Sequence, residues 1–218
     1  MHSFTEENYL KAIYKLQENN EEVVATSALA HVMGVHAPSV TDMLKKMAKK
    51  KLVSYQKSKG FKLTEKGKQV AVAIIRNHRL WEVFLVDKLG FRWDEVHDLA
   101  EQLEHIHSEA LLSKLDNYLG YPKTDPHGDP IPDANGILPA SKSVLLSSLQ
   151  TGSRGKFTGV TDHSASFLSY LDKSGITLGD VIKIKHVEEY DKTFTLQLKG
   201  KKETIVSFKV ANSLLISE

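Results

Sequence analysis

Imidazole and carboxylate side chains are concentrated between residues 78 and 105, at a spacing that suits metal binding. His78 and Glu82 lie four residues apart, so at about 100° per helical residue they share one face of a helix. Two helices that each present such groups from one face are the arrangement from which helical proteins build metal sites. The second set falls within roughly 100° of arc on a further helix: His97, Glu101, Glu104 and His105.

The donor types narrow the choice of ion. Imidazole with carboxylate, and no thiolate, suits borderline to hard divalent cations such as manganese, iron, cobalt or zinc. The alternative is a solvated acidic helix face with scattered histidines, because His and Glu four residues apart are common on surface helices. The spacing alone does not separate the two interpretations.

Length and composition indicate an ordered chain without thiol chemistry. The 218 residues suffice for one large domain or two to three small ones, and 41% of them are hydrophobic. The absence of cysteine excludes disulfides, CxxC zinc ribbons and thiol catalysis. The first residues do not resemble a signal peptide, and no apolar run approaches the ~18 residues that span a bilayer. We therefore expect a soluble, cytoplasmic protein with no membrane partner.

Charge is unevenly distributed although the net charge is only +2. Residues 42–69 hold ten lysines against Asp42 and Glu65, which gives +8. Residues 76–139 hold six Lys or Arg against twelve Asp or Glu, which gives −6. A basic segment followed by an acidic, histidine-bearing one predicts a polyanion partner for the first and a cation for the second.

Three helices and a hairpin are predicted at the N-terminus. The first helix covers residues 5–18, and the second begins near Thr26 and ends at Gly34. Pro38 stands at the start of the third, where a residue without an N–H group is well accommodated. Two short strands follow around the turn at Lys59–Gly60. A helix-turn-helix followed by a basic hairpin is a winged helix, which predicts DNA binding.

The DNA-contacting residues follow from this arrangement. The turn and the N-terminal end of the third helix would face base edges in the major groove, and lysines would neutralise phosphates. The alternative is a lysine-rich solvated helix beside an ordinary hairpin. The base-facing set is His36, Pro38, Ser39, Thr41 and Asp42, and the phosphate set is Lys45, Lys46, Lys49, Lys57, Lys59 and Lys62.

The remainder of the chain changes from helical to strand periodicity. A long, nearly apolar helix is predicted to start near Thr64 and end at Gly90, and another to start at Trp93–Asp94. One more helix precedes residues 121–139, which are dense in proline and glycine. From residue 140 onward, alternating strands with glycine turns predict a small β-barrel.

Six stretches, taken together and in this order, resemble the diphtheria toxin repressor type of metal-dependent transcription regulators. They lie within residues 4–139: NYLKAIYKL, PSVTDMLKKM, LTEKG, RNHRLWEVFL, VHDLAEQLEH and PHGDPIP. FLSYLDKSGITLGD and the strands after it resemble the SH3-like (FeoA-like) domain of longer family members. The resemblance implies a mainly α fold: an N-terminal winged helix-turn-helix, a helical dimerisation domain and a small C-terminal SH3-like β-barrel. The boundaries are then 1–70, 71–140, a linker at 141–152, and 153–218.

The resemblance also implies up to two ions per subunit, Mn(II) or Fe(II). Glu101 stands where iron regulators have cysteine, which favours manganese, and Lys11 replaces a glutamate of a two-ion manganese subtype. The first ion would be held by Asn8, Glu101, Glu104 and His105. The second would be held by His78, Glu82 and His97, completed from the SH3-like domain by Asp162 and His163.

Two expectations concern side chains beyond these ligands. Some family members bind an anion at the arginine matched by Arg79, but here Asp125 and Asp129 would repel it. We predict that one of these aspartates pairs with Arg79 directly. His107 and His127 match no ligand position, so we expect both on the surface.

The combined prediction is a metal-activated DNA-binding regulator that represses metal-uptake genes. We expect it to act as a homodimer on a double-stranded operator, without a small-molecule substrate. Without metal, Glu101 and Glu104 should repel each other and loosen the first site. We expect the dimer surface to be formed by the apolar residues 70–75, 81, 84 and 85. The alternatives are a metal-independent winged-helix or SH3-type protein and a metal-dependent hydrolase. The sequence has no HExxH motif and no recognisable nucleophile, which argues against the hydrolase.

Overall fold

Three helices and a two-stranded hairpin form the N-terminal part of the protein, as predicted. Helix α2 ends at Gly34, whose φ of +63° lets its N–H donate to the carbonyls of Ala30 and His31. Helix α3 carries Pro38 in its first turn. The elements are α1 (Phe4–Glu18), α2 (Thr26–Met33), α3 (Ala37–Lys49), β1 (Val53–Gln56) and β2 (Gly60–Leu63). The computed structural model describes residues 2–18, 23–56, 60–139, 142–198, 200 and 203–217.

The hairpin is fixed to the helices through its second strand. β1 and β2 pair antiparallel, and Val24 exchanges backbone hydrogen bonds with Phe61 at 2.8 and 3.0 Å. A Cβ at Gly60, where φ is +129°, would lie 2.2 Å from the carbonyl oxygen of Val24, so only glycine fits. Helix α3 buries Val40, Leu44 and Met47 on one face, which leaves its lysine-bearing face outward.

The central helices differ from the prediction at one boundary. Helix α4 (Glu65–Leu89) starts after Thr64, whose hydroxyl accepts the N–H of Gly67, and ends before Gly90. Helix α5 (His97–Leu103) begins three to four residues later than predicted. The reason is that Arg92 forms two hydrogen bonds with Asp94, which holds the preceding residues in turns. Helix α6 covers Glu109–Tyr118.

The apolar residues expected to form a dimer surface are mostly buried within this chain. Ala71, Val72, Ile74 and Ile75 on α4 are buried, and so are Trp81 and Leu85. These side chains are therefore packed inside the chain and are not available to a second copy. The prediction that they supply the dimer surface is corrected accordingly.

The C-terminal part is a six-stranded antiparallel sheet in the order β3-β8-β4-β5-β6-β7. Its core is formed by residues that alternate along the strands, among them Phe157, Phe194 and Leu196. A helical N-terminal region followed by a sheet domain agrees with the predicted fold class. The elements are β3 (Val144–Leu145), β4 (Arg154–Val160), α7 (Ala165–Lys173), β5 (Val181–Val187), β6 (Phe194–Leu198), β7 (Glu203–Val206), α8 (Phe208–Ala211) and β8 (Leu214–Ser217).

Internal contacts divide the chain into two units. Helices α4 and α5 contribute residues to both. Within the described residues, no helix combines the length and the apolarity needed to cross a membrane. The first unit comprises Met1–His78, Glu101–Leu112 and Pro132–Ile137, and the second comprises Arg79–Ala100, Ser113–Ile131 and Leu138–Glu218.

Candidate metal centres and nucleic-acid interface

The first unit contains a buried polar cluster formed by α1 and residues 101–107. Glu7 and Lys11 lie one turn apart on α1, and both side chains are buried. Glu104 is completely buried and His105 is 8% exposed. Because buried charges are costly unless they are paired, the contacts within this cluster must compensate one another.

Lys11 is the partner of both acidic side chains at the predicted first site. Its Nζ lies 2.6 Å from Oε1 of Glu101 and 2.7 Å from each carboxylate oxygen of Glu104. Nδ1 of His78 lies 2.7 Å from Oε2 of Glu104. The expectation that repulsion between Glu101 and Glu104 loosens the site in the metal-free chain is therefore wrong, because both carboxylates contact the same ammonium group.

His105 is oriented by a carboxylate from α1. Its Nδ1 lies 2.6 Å from Oε2 of Glu7, and its ring stacks on Phe4 with centroids 4.5 Å apart. Nε2 of His107 lies 2.7 Å from Oε1 of the same carboxylate. His107 is exposed as predicted, but it is paired with Glu7. With Nδ1 of His105 engaged, Nε2 is the nitrogen left to ligate a metal.

The first site has the donors that a divalent ion needs. Oδ1 of Asn8 is buried and accepts no hydrogen bond from the described residues. Together with Glu101, Glu104 and Nε2 of His105, it forms a set of oxygen and imidazole donors that suits manganese or iron(II). The four predicted residues therefore fit such an ion, provided that the Lys11 ammonium gives up the two carboxylates.

A second cluster lies in the second unit, where α4 meets the loop of residues 122–131. Glu82, Asp125 and His127 are buried and place one ligand atom each within 4.8 Å of one another. Nδ1 of His127 lies 3.5 Å from Oε2 of Glu82, and its Nε2 lies 2.8 Å from the carbonyl oxygen of Trp93. Because a carbonyl accepts only from an N–H group, Nε2 of His127 carries a proton, which leaves Nδ1, the nitrogen facing Glu82, to ligate an ion once it loses its own proton.

His127 was expected on the surface, and that expectation is wrong. Its side chain is only 1% exposed, and its ring stacks on Trp93 with a centroid distance of 6.1 Å. The loop turns inward because the Asp125 carboxylate accepts the backbone N–H groups of His127 and Asp129. The imidazole therefore adds a donor to the second site that the resemblance did not assign.

Two further histidines of the predicted second site lie beside this cluster. Nδ1 of His97 lies 3.4 Å from Oε1 of Glu82. Nε2 of His163 lies 3.5 Å from Oδ2 of Asp129, and its ring centroid is 5.0 Å from that of His127. We refer to Glu82, His97, Asp125, His127, Asp129 and His163 as the second site.

The other two residues predicted for the second ion have different contacts. Oδ1 of Asp162 accepts the N–H of Ser164 at the start of α7. His78 contacts Glu104, which belongs to the first site. Ligation of a second ion by either residue stays a prediction.

Electrostatics at the second site reflect an excess of carboxylates. Burial, reinforced by the charges of Glu82 and Asp129, raises the pKa of Asp125. Burial lowers the pKa of His127, but the hydrogen bond to Glu82 and the charges of Glu82 and Asp125 outweigh it and raise that pKa to about 9. The second site therefore favours a cation, supplied in the metal-free chain by a proton.

Arg79 forms the predicted ion pair with the loop of residues 122–131. Its Nη2 lies 3.2 Å from Oδ2 of Asp129, and its Nε lies 3.7 Å from Oδ2 of Asp125. Nη1 donates to the carbonyl of Pro130. The guanidinium is thus occupied by acidic and carbonyl oxygens from the same loop, which confirms the expected pairing.

Most of the predicted DNA-contacting residues lie on the outward face of α3 and in the turn before it. Asp42 pairs with Lys45 at 3.5 Å, and the hydroxyl of Thr41 donates to the carbonyl of Ala37. Lys62 is half-buried on β2. Lys57 and Lys59 lie outside the described residues. The exposed members are His36, Pro38, Ser39, Asp42, Lys45, Lys46 and Lys49.

Sequence reasoning missed four side chains of these clusters: Glu7, Asp125, His127 and Asp129. Glu7 precedes Lys11 by one helical turn, so two opposite charges on the otherwise apolar face of α1 were a detectable signal. Asp125, His127 and Asp129 alternate in a proline- and glycine-rich loop, a pattern that brings an imidazole between two carboxylates. Asp125 was considered only as a partner of Arg79.

Sequence profiles of known families match nearly the whole chain. The N-terminal DNA binding domain of iron dependent repressors matches residues 1–61, and their metal binding and dimerisation domain matches residues 64–133. The FeoA domain matches residues 144–218.

Curated relatives match part of the chain. The iron-dependent repressor IdeR of Mycobacterium tuberculosis is 39% identical over 129 residues, 59% of this chain and 55% of the relative. IdeR of Mycobacterium leprae is 38% identical over 157 residues, 68% of this chain and 67% of the relative. The chain thus matches about half the length of the first of these relatives.

Solved structures match over almost the full length. A manganese-dependent transcriptional repressor in complex with manganese is 34% identical, with a TM-score of 0.88, and the match covers 97% of this chain and 98% of that one. The manganese regulator SloR is 32% identical with a TM-score of 0.78, and the match covers 98% of both chains.

Proposed function

The chain belongs to the diphtheria toxin repressor-type family of metal-dependent transcriptional repressors, and we propose that it represses metal-uptake genes in response to Mn(II) or Fe(II). The family consists of DNA-binding regulators, not enzymes. A homodimer on a double-stranded operator, in the cytoplasm where the DNA lies, is the working form that we propose. The domain boundaries are 1–70, 71–140 and 153–218, and the sheet domain is a closed SH3-like barrel.

One observation carries this proposal: candidate metal ligands lie on α1 and on the segment of residues 101–105 within one structural unit. Asn8 belongs to α1, which is part of the helix-turn-helix module, whereas Glu101, Glu104 and His105 belong to the central region. Ligation of one ion by both groups fixes the position of α1, and with it the recognition helix α3. Because coupling free energy is reciprocal, operator DNA must then tighten metal binding by the same factor.

The donor set favours manganese over iron. The first site consists of carboxylate, amide and imidazole donors, the second consists of carboxylate and imidazole donors, and the chain has no cysteine. Oxygen-rich sites without thiolate select harder divalent ions. When bound, the ion supplies positive charge and a fixed coordination geometry. The donor types of the residues determine which ion is bound. We propose that Asn8, Glu101, Glu104 and His105 hold the first ion, and that Asp162 completes the second site.

A titration of operator DNA tests the proposed function. Fluorescence anisotropy of a DNA fragment from upstream of the protein's own gene, or of a neighbouring metal transporter gene, is measured at fixed salt, because phosphate contacts make affinity salt-dependent. Chelator, Mn(II), Fe(II) and Zn(II) are compared. We expect binding that needs metal, is tightest with Mn(II), and is lost in Glu104→Ala.

The control is Glu109→Ala, which removes an exposed acid at the start of α6. Binding of equal strength with and without chelator would instead favour the metal-independent winged-helix protein. Metal binding with no DNA binding in any condition would contradict the repressor assignment and reopen the question of a metal-dependent hydrolase.

A further inference from the structure

The ammonium of Lys11 contacts more carboxylate oxygens than the ammonium of an ordinary surface lysine does. Three carboxylate oxygens of Glu101 and Glu104 lie 2.6–2.7 Å from its Nζ. The Lys11 side chain is 9% exposed and that of Glu104 is fully buried. An ammonium has three donors and no acceptor, so these contacts use its full hydrogen-bonding capacity.

Short, buried, charge-assisted hydrogen bonds of this kind are among the strong ones in proteins. They matter here because each of the two carboxylates is also a predicted metal ligand. A carboxylate oxygen that accepts a hydrogen bond from an ammonium at 2.7 Å cannot at the same time bring a divalent ion to ligating distance without strong cation–cation repulsion. The ammonium and the ion therefore exclude each other.

We propose that Lys11 is a tethered competitor for metal at the first site. In the metal-free chain its ammonium occupies the cation position between Glu101 and Glu104, and it must leave both carboxylates before they ligate an ion. This inference rests on the proposed function, since it assumes that the first site takes a divalent metal.

The proposal has two physical consequences. Lys11 lies on α1, so the metal-free chain already connects α1 to residues 101 and 104, and metal replaces one connection by another. The affinity of the site is also lowered by the free energy of breaking the ammonium contacts. Asn8 adds to this effect because its neutral amide contributes no negative charge to the ion.

The direct test compares Mn(II) binding by the full chain and by Lys11→Met. Methionine keeps the length and apolar stem of lysine but removes the ammonium. Free Mn(II) is measured by electron paramagnetic resonance during titration, and the first-site ion is identified as the one lost in Glu104→Gln. We expect Lys11→Met to bind this ion roughly ten- to a hundredfold more tightly, because the three charge-assisted contacts of the ammonium no longer have to be broken.

Lys15→Met is the matched control, since it removes an exposed ammonium one turn further along α1. Its first-site affinity should equal that of the unaltered chain. Lys11→Arg keeps a cation at the same position and should not show the tightening. Equal first-site affinity in Lys11→Met and the unaltered chain, or no Mn(II) bound at this site in either, overturns the proposal.

Thermal unfolding separates competition from a purely structural ion pair. Lys11→Met leaves two carboxylates without their cation, so we expect a lower Tm than the unaltered chain in chelator and recovery of that loss in excess Mn(II). A Tm lowered by the same amount with and without Mn(II) contradicts the proposal. If DNA binding stays metal-dependent in these outcomes, the competitor role fails while the proposed function stands.

Discussion

The Glu7 carboxylate and the His105 imidazole lie 2.6 Å apart, joining α1 to the segment after α5. Both side chains are buried, and the contact fixes which ring nitrogen of His105 is available to a ligand. A carboxylate that holds a metal-binding histidine in this way is usually as important as the ligand itself. Glu7 is thus a positioning residue for the first site.

Glu7→Gln should weaken Mn(II) binding at the first site about ten- to a hundredfold, because the ring of His105 loses its orienting anion. The measurement is the same Mn(II) titration used for Lys11. His107→Gln serves as the control, since it removes the other histidine that contacts Glu7 but leaves the contact to His105. Unchanged affinity in Glu7→Gln would show that the orientation of His105 does not depend on it.

Arg79→Met should lower the free energy of unfolding by about 3 kcal/mol, because it leaves the buried Asp125 and the half-buried Asp129 without their cation. Urea unfolding at pH 7 measures the loss. Arg92→Met is the comparison: Arg92 also pairs with aspartates, but it is 57% exposed, so its loss should cost much less than the loss of Arg79. Similar costs for the two variants, or sulfate bound at Arg79, would contradict this account of the loop.

Gly128→Ala should disturb the second site. Gly128 has a φ of +91°, and a Cβ there would lie 1.9 Å from the carbonyl oxygen of Thr158. The loop must shift to relieve this overlap, and it carries His127 and Asp129 with it. We expect a loss of stability above the ~1–3 kcal/mol of backbone strain alone, together with weaker Mn(II) binding at the second site.

Gly152→Ala is the matched control for that variant. Gly152 has nearly the same φ, +93°, but a Cβ there meets no heavy atom within 4 Å. Only the strain of the left-handed conformation should appear, and Mn(II) binding should not change. Equal metal affinity in both variants would mean that the position of His127 is unimportant for the ion.

Glu6 should make the N-terminal module acid-sensitive. Burial opposes its charged form, but the hydrogen bonds from Lys50 and Ser3 outweigh this and lower its pKa to about 2. Since the folded pKa is lower than the ordinary value of 4.5, the stabilisation is present above pH 4.5 and is lost as the pH falls towards 2.

Lys50→Met should therefore cost about 1–3 kcal/mol at pH 7, and this difference should shrink as the pH falls from 4.5 to 2. Urea unfolding at several pH values measures it. Lys68→Met, on the exposed side of α4, should change stability little at any pH. A cost for Lys50→Met that does not vary with pH would contradict the pairing with Glu6.

Lys49→Ala should weaken operator binding and reduce its dependence on salt. Lys49 is exposed at the end of α3, and each lost phosphate contact lowers the slope of log K against log salt by about 0.9. Anisotropy titrations at several salt concentrations give the slope. An unchanged slope would place Lys49 away from the DNA backbone.

The sequence alone determined the local elements and the types of donor that are available to a metal ion. Gly34, Pro38 and Thr64 indicated helix boundaries that the structure has, because capping and backbone conformation depend on a few neighbouring residues. The paired imidazole and carboxylate spacing on α4 and α5 likewise predicted where donors would collect. The pairing of Arg79 with the aspartates of the loop at residues 122–131 followed from charge alone and is confirmed.

Only the tertiary structure decided which charges meet. Lys11 and Glu104 are 93 residues apart in sequence, and Glu7 and His105 are 98 apart, so no local pattern fixes either pair. Glu101 and Glu104 looked mutually repulsive until a cation from α1 lay between them. His127 looked like a loop residue on the surface until hydrogen bonds from the Asp125 carboxylate turned the loop inward. A buried charge is costly unless it is paired, and the fold determines which partner lies close enough to pair with it.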